Sequence, residues 1–450
     1  MADSAAAPRD SLARDRLHRE VANEPLTADA ERRRLAGAYR RVRADSLALA
    51  ERLSAEDMVV QSMPDASPTK WHLGHTTWFF ETVVLSSHAA GYGVFDPGYA
   101  YLFNSYYESL GPRHPRPSRG MLTRPGVAEV LRYRDHVDAA MSRFFERAGD
   151  ETFQAAAPLI ELGLNHEQQH QELILTDLLH AFGLNPTDPA YAPDAPAPPP
   201  VADPAPGGWI EHPGGLVDIG HDGTGFAFDN EGPRHKVWLE PFRLGVRPVT
   251  NADWLAFMAD GGYARPEFWL SDGWAAVHAE EWLAPMHWEE RDGAWWQFGL
   301  TGLRPVDPDA PVAHVSYYEA DAFAAWAGAR LPTEAEWEVV AATLPPIGNT
   351  QGTGLFRPTP PSRPGGAVEP VQMFGDVWEW TQSAYGAYPG FRPAPGAVGE
   401  YNGKFMCGQY VLRGGACTTP DGHVRATYRN FFYPHQRWQV AGLRLACDAA

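Results

Sequence analysis

Residues 165–172 read NHEQQHQE and contain His166-Glu167-Gln168-Gln169-His170, an HExxH string. On a helix, side chains four apart share a face, so the string offers two imidazoles to one ion. A zinc protease uses the intervening Glu as general base. That chemistry needs a third protein ligand, and the sequence withholds it. Where a metzincin-type continuation requires Gly and then His, this chain has Leu173 and Thr176. No Glu occurs between Leu173 and Ile210, where glutamate-type zincins draw their third ligand. His180 lies ten residues past His170, roughly 15 Å along a helix, which is too far to join the same ion.

A second histidine pair makes another site possible. The string WHLGH carries His72 and His75. Either reaches a metal shared with His166 and His170 if the two helices pack face to face. A lone helical His is more often a hydrogen-bonded core residue; two such segments together favour a metal. Three imidazoles leave positions open on the ion, but they describe a catalytic zinc site as well as other metals. Residues 102–120 set Tyr106 beside Tyr107 and space Arg113, Arg116 and Arg119 three apart. A phenol can donate a proton and guanidinium forks clamp carboxylates. The same residues also suit a proline-stiffened loop with packed tyrosines and solvated arginines. Near the C-terminus, Asn430 and Arg437 sit among aromatic rings that either form core or face a quaternary ammonium.

The chain must hold these groups together across its length. At 450 residues it exceeds one ordinary core, and two domains are expected. Residues 1–185 read as a four-helix bundle. Its helices are expected over 28–53, from Ser67-Pro68 through the WHLGH segment, from Pro125 onward, and over 153–182, with a long excursion at 91–124. Residues 186–207 are dominated by Pro and Ala and predict a semi-extended linker. Residues 208–450 are rich in Gly, Pro and Trp, with short apolar runs that suit short strands. Ser316 with Glu319 and Thr333 with Glu336 form capping boxes, and Thr250 is a further cap. The fold class expected is α+β.

Bulk properties narrow the partners. With 37 basic and 56 acidic residues the net charge is −19, which argues against nucleic acid and anionic membranes. Cys407, Cys417 and Cys447 give neither a disulfide framework nor a CxxC site. The N-terminal stretch lacks the apolar segment of a signal peptide, and no run approaches 18 apolar residues. A cytoplasmic protein acting on small molecules is expected; oligomeric state is not indicated.

Several of these strings carry a family resemblance. LPTEAEWE, GDVWEWT, YVLRGGAC and AGLRLA resemble the formylglycine-generating-enzyme (sulfatase-modifying-factor) domain, a C-type-lectin-like fold. WHLGH with the HExxH-like pair resembles the DinB-type four-helix bundle. Their fusion in this order is similar to the sulfoxide synthases of ergothioneine biosynthesis. That resemblance implies a non-haem Fe(II) held by His75, His166 and His170, with O2 as co-substrate. It implies C–S bond formation between cysteine and C2 of Nα-trimethylhistidine (hercynine). Gln169 would face the substrate imidazole, and Asn430 would belong to the substrate pocket. Tyr106 with Tyr107 matches the tyrosine pair of the cysteine-using branch, Tyr106 being the proton donor. Arg116, with Arg113 or Arg119, would hold the donor carboxylate. His72 falls where the family varies and is set aside as a bystander. Formylglycine-generating relatives use a cysteine pair, whereas here Cys417 has no second cysteine before Cys447. Coupling enzymes that take γ-glutamylcysteine, a selenium donor or plain histidine stay open. More distant are a zinc hydrolase and a lectin-like binding protein without chemistry.

Overall fold

The computed structural model describes residues 27–201, 205, 207–362, 369–394 and 399–449. The N-terminal stretch read for a signal peptide, and linker positions 202–204 and 206, lie outside the described residues.

Four helices make the N-terminal layer: α1 (Ala28–Ala50), α2 (Thr69–Phe79), α3 (Val127–Arg147) and α4 (Asp150–Gly183). Helix α1 starts where the Thr27 hydroxyl accepts from Ala30 N, 3.3 Å away. Its stripe of Leu35, Tyr39, Val42 and Leu49 is buried against the other helices. Helix α2 differs from the amphipathic norm, because every residue from Thr69 to Phe79 is buried. It is the central helix, and its WHLGH face therefore cannot be solvent. Pro68 itself caps α2, one position earlier than a first-turn proline. After Phe79 the chain continues as a π-turn over Phe80–Leu85. Within it the buried Glu81 carboxylate accepts from Tyr92 OH and Tyr133 OH, both at 2.6 Å, and from Phe95 N at 3.0 Å. Those bonds tie the start of the 91–124 excursion to the bundle.

The proline-rich segment after α4 contains no helix or strand among the described residues, yet it does not float. Tyr191 and Ala192 are buried; Tyr191 OH donates to Leu49 O at 3.0 Å and Ala192 N to Leu300 O at 2.8 Å. The segment is thus a strap bonded to both layers, with proline supplying stiffness.

The C-terminal layer is built of short strands and three box-capped helices. Strands β1 (Trp209–His212), β4 (Phe242–Gly245) and β12 (Ala446–Asp448) form one sheet in the order β1-β4-β12. Hairpins β2 (Gly215–Ile219) with β3 (His235–Leu239), and β5 (Trp288–Arg291), β6 (Ala294–Gly299) and β7 (Gly302–Pro305), stand beside it. The sheet nearest the bundle runs β10-β9-β8-β11, from β8 (Trp378–Ala384), β9 (Tyr410–Arg413), β10 (Asn430–Phe432) and β11 (Ala441–Leu443). Strands β8 and β11 are parallel and the other pairs antiparallel. Helices α5 (Asn251–Ala259), α7 (Tyr317–Trp326) and α8 (Glu334–Ala341) open with reciprocal capping boxes at Thr250/Asp253, Ser316/Glu319 and Thr333/Glu336; α6 (Ser271–Ala279) has no side-chain cap.

The strings that carried the family resemblance in this layer are its scaffold. Arg413 of YVLRGG is fully buried and pairs at 2.9 Å with Glu334 and Glu338 of LPTEAEWE. Arg429 meets Glu334 at 2.9 Å. Glu379 of GDVWEWT accepts from Trp337 Nε1 and pairs with Arg444 of AGLRLA, both at 2.8 Å. Buried charges tolerate this placement because each is matched and hydrogen-bonded.

Candidate metal centre

Helices α2 and α4 meet face to face and bring His75, His166 and His170 together. One nitrogen from each lies within 4.8 Å of the others. His75 Nε2 and His166 Nε2 are 3.2 Å apart, and the ring centroids of all three pairs stand at 4.7–4.9 Å. Burial, reinforced by repulsion among the rings, pushes His75 and His170 well below the usual imidazole range. Burial takes His166 down to about 4. All three are therefore neutral at pH 7 and have lone pairs to give.

The sequence of α2 explains how His75 is aimed. A Cβ on Gly74 would collide with the Phe103 ring, so the glycine of WHLGH lets Phe103 pack directly on the helix. Phe103 O then lies 2.6 Å from His75 Nδ1. A carbonyl only accepts, so Nδ1 carries the proton and Nε2 the lone pair. Trp71 stacks on the same ring at 4.7 Å and fixes its plane.

These residues fit a metal ion. Nε2 of His75 and Nε2 of His166 face one another, and His166 Nδ1 has no hydrogen-bond partner. A cation would satisfy nitrogens that the protein leaves apposed. The set is three imidazoles with no carboxylate, which suits iron, zinc or copper and disfavours magnesium and calcium.

Glu167 answers the protease question. It turns away from the histidines into a buried network with Arg43 and Arg134, both at 3.0 Å, and Ser46 Oγ at 2.7 Å. Burial alone would raise its carboxyl, but the two guanidiniums reverse that and hold it below the usual range. It is a structural anion and cannot serve as general base to a water on the ion. Glu167→Gln should leave two buried cations undermatched and cost about 3–5 kcal/mol. Urea unfolding at pH 7 reads this. Because the folded carboxyl is depressed, its contribution is present above about pH 4.5 and lost as pH falls further, so the parent and the variant should converge in acid.

The histidines line a cavity that both layers enclose. Tyr106, Tyr107, Arg116, Arg119, Gln169 and Asn430 all line it. Arg113 does not: it pairs with Glu108 at 2.9 Å on the surface and lies over the outer face of Tyr106. Arg437 is likewise elsewhere, bonded to Ala284 O at 2.6 Å and to Glu319 at 3.3 Å. Arg116 donates to Tyr106 OH and to Asp65 O. Arg119 is buried, stacks 3.3 Å above Trp71, and donates to Ser67 Oγ at 2.9 Å and Ser105 Oγ at 3.0 Å. No carboxylate pairs with it among the described residues, and burial together with Arg116 pushes it down to about 9. A buried cation open to a cavity suits an anionic ligand group.

The second layer supplies residues that the sequence did not single out. Tyr428 OH accepts from Gln169 Nε2 at 2.8 Å, and Trp378 Nε1 donates to Glu172 at 2.7 Å. Thr419 Oγ1 donates to the same carboxylate at 2.9 Å. Phe405 meets the Tyr106 ring edge-on at 4.9 Å. His72, set aside on the sequence, stands 2.8 Å from His170. Its spacing from His75 within WHLGH was the available signal.

Comparison with known proteins agrees with this division. Residues 38–174 match the DinB superfamily, and residues 197–353 and 348–449 match the sulfatase-modifying factor enzyme 1-like domain. The chain is 34% identical to the hercynine oxygenase of Mycolicibacterium thermoresistibile over 86% of its own length and 88% of the relative's. The chain belongs to the hercynine oxygenase family. The family's protein from Mycobacterium tuberculosis is 33% identical over 91% of this chain and 97% of its own. The formylglycine-generating enzyme of Streptomyces coelicolor matches 57% of this chain at 30% identity, along 96% of its own length. Cys407, Cys417 and Cys447 are all free thiols here, and Cys417 is fully buried with its thiol pushed well up by burial. Hercynine oxygenase membership therefore goes with the histidine centre and not with cysteine chemistry. Among the described residues no helix is long and apolar enough to cross a membrane.

Proposed function

We propose that this protein is an iron(II)- and O2-dependent sulfoxide synthase that joins the sulfur of cysteine to C2 of hercynine. The observation that carries the reading is the trio of neutral imidazoles in a cavity closed by both layers. In the balanced reaction, thiol, imidazole C–H and O2 give one C–S bond, one S=O bond and one water. Held by His75, His166 and His170, a ferrous ion would supply open positions for the substrates and the redox capacity for this coupling.

The chain's own groups do the rest. Gln169, held by its bond to Tyr428 OH, stands between the two α4 ligands and would hydrogen-bond the hercynine imidazole. Asn430, at the start of β10, and the aromatic rings beside it would line the hercynine end. Arg119 and Arg116 would receive the donor carboxylate. One buried guanidinium without a carboxylate matches a donor with one carboxylate, which favours cysteine over γ-glutamylcysteine. Enclosure by both layers holds thiol and ring side by side, an arrangement that dilute solution does not supply.

Tyr106 is the proton donor in this scheme and Tyr107 its buried flank, packed on Trp78 at 5.6 Å. The Arg116 guanidinium donates to the phenolic oxygen and so stabilises charge growing there as the proton leaves. Tyr106→Phe should shift product from coupled sulfoxide towards cysteine sulfinate by roughly 10²-fold or more, the range of general acid–base catalysis. Chromatographic product ratios check this, and an unchanged ratio removes the role. For the reaction as a whole, oxygen uptake by the ferrous-loaded protein should require both hercynine and cysteine. Uptake indifferent to hercynine contradicts the assignment.

A further inference from the structure

His72 and Asp177 have no role in the reading above, yet both are buried against the ligand set, at 2% and 5% exposure. His72 Nδ1 lies 2.8 Å from His170 Nδ1, and His72 Nε2 lies 3.1 Å from Asp177 Oδ2. With neutral rings and an ionised carboxylate, one proton arrangement satisfies both contacts. The carboxylate accepts, so His72 carries its proton on Nε2. His72 Nδ1 then holds the lone pair, and His170 must donate from Nδ1. This leaves Nε2 as the one nitrogen of His170 able to ligate.

We propose that His72 and Asp177 are positioning residues of the metal centre: a relay that locks the tautomer and ring orientation of His170. Metal-bound histidines commonly donate their second N–H to an outer partner, and such partners set ligand basicity and direction. His75 uses a backbone carbonyl for this; His170 uses an imidazole backed by a carboxylate. The relay also reaches the cavity wall. Asp177 Oδ2 accepts from Ser67 N at 2.8 Å, and Ser67 Oγ accepts from Arg119 at 2.9 Å. One hydrogen-bond chain therefore connects the metal ligand to the buried guanidinium. The inference rests on the ligand set proposed above.

The test titrates apo-protein anaerobically with Co(II), whose d–d absorption reports coordination, and needs no turnover. His72→Leu should weaken Co(II) binding about 10–100-fold, the cost of losing an outer-shell partner, and alter the d–d bands. His72→Gln, whose amide can accept from His170 and donate to Asp177, should recover most of the affinity. In the Co(II) protein, proton NMR should show protected, hyperfine-shifted imidazole N–H signals from His75 and His170, and His72→Leu should lose one. Wild-type affinity with both signals kept in His72→Leu overturns the relay, as does a His72→Gln protein no better than His72→Leu. Should His72→Leu not fold, His72→Asn, too short to span both partners, is held to the same criteria. A folded wild-type protein that takes up no Co(II) removes the ligand set and the relay together, and is distinguishable from an unchanged variant titration.

Discussion

His166→Ala should form no coupled product and should lose ferrous binding by more than the roughly 10–100-fold that an outer-shell change costs. The reason is geometric. Three imidazole nitrogens make up the whole protein-derived set, with no carboxylate to substitute. Removing one leaves two ligands, each held by its own partner, and no closed face for the ion. The fold should survive. His166 Nδ1 makes no hydrogen bond, so the substitution strands no donor or acceptor, and the cost should stay within the roughly 0.5–3 kcal/mol of ordinary point changes. Its neighbour behaves in the opposite sense: Glu167→Gln should lose stability through Arg43 and Arg134 while the imidazoles stay in place. In a protease the two changes would both abolish chemistry. Iron content by elemental analysis, with unfolding curves for both variants, separates the two outcomes.

Arg119→Met should lower kcat/KM for the thiol donor about 10–150-fold while leaving the apparent affinity for hercynine unchanged. A hydrogen bond to a charged group contributes about 1.5–3 kcal/mol, which is that range at about 1.4 kcal/mol per tenfold. The same change should leave stability unaltered or raised. Arg119 is buried with no carboxylate partner among the described residues, and replacing a poorly compensated buried cation by an apolar chain of similar length is neutral to favourable. Function and stability moving apart identifies a residue kept for its ligand. A fall in both, or a hercynine effect equal to the cysteine effect, would assign Arg119 to the fold or to the other substrate.

The parts of this site that were legible in the sequence are those fixed by short-range spacing. His166 and His170 are four apart on one helix, and only the pairing of α2 with α4 had to be supplied to add His75. The capping boxes at Ser316 and Thr333 were legible for the same reason, since each bonds within three residues. What escaped was decided across the chain. The partners of Glu167, Arg43 and Arg134, stand 124 and 33 residues away, and nothing local distinguishes that carboxylate from a general base. Arg113, Arg116 and Arg119 share one loop and one spacing, yet one pairs at the surface, one meets Tyr106 and one is buried. Their fates follow from the 3₁₀ turn at Arg116–Met121, which no periodicity announces. The all-round burial of α2 hid its face, and the proline segment proved to be a strap because Tyr191 and Ala192 find partners in opposite layers. Tyr428 and Trp378 reach the bundle only once the C-terminal sheet is assembled.

The most direct measurement is an incubation of ferrous-loaded protein with hercynine, cysteine and ¹⁸O2, read by mass spectrometry. The account predicts a product equal to both substrates joined, less two hydrogens and plus one oxygen, with that oxygen labelled. Labelled cysteine sulfinate alone, or hercynine returned unchanged beside unreacted thiol, would contradict it.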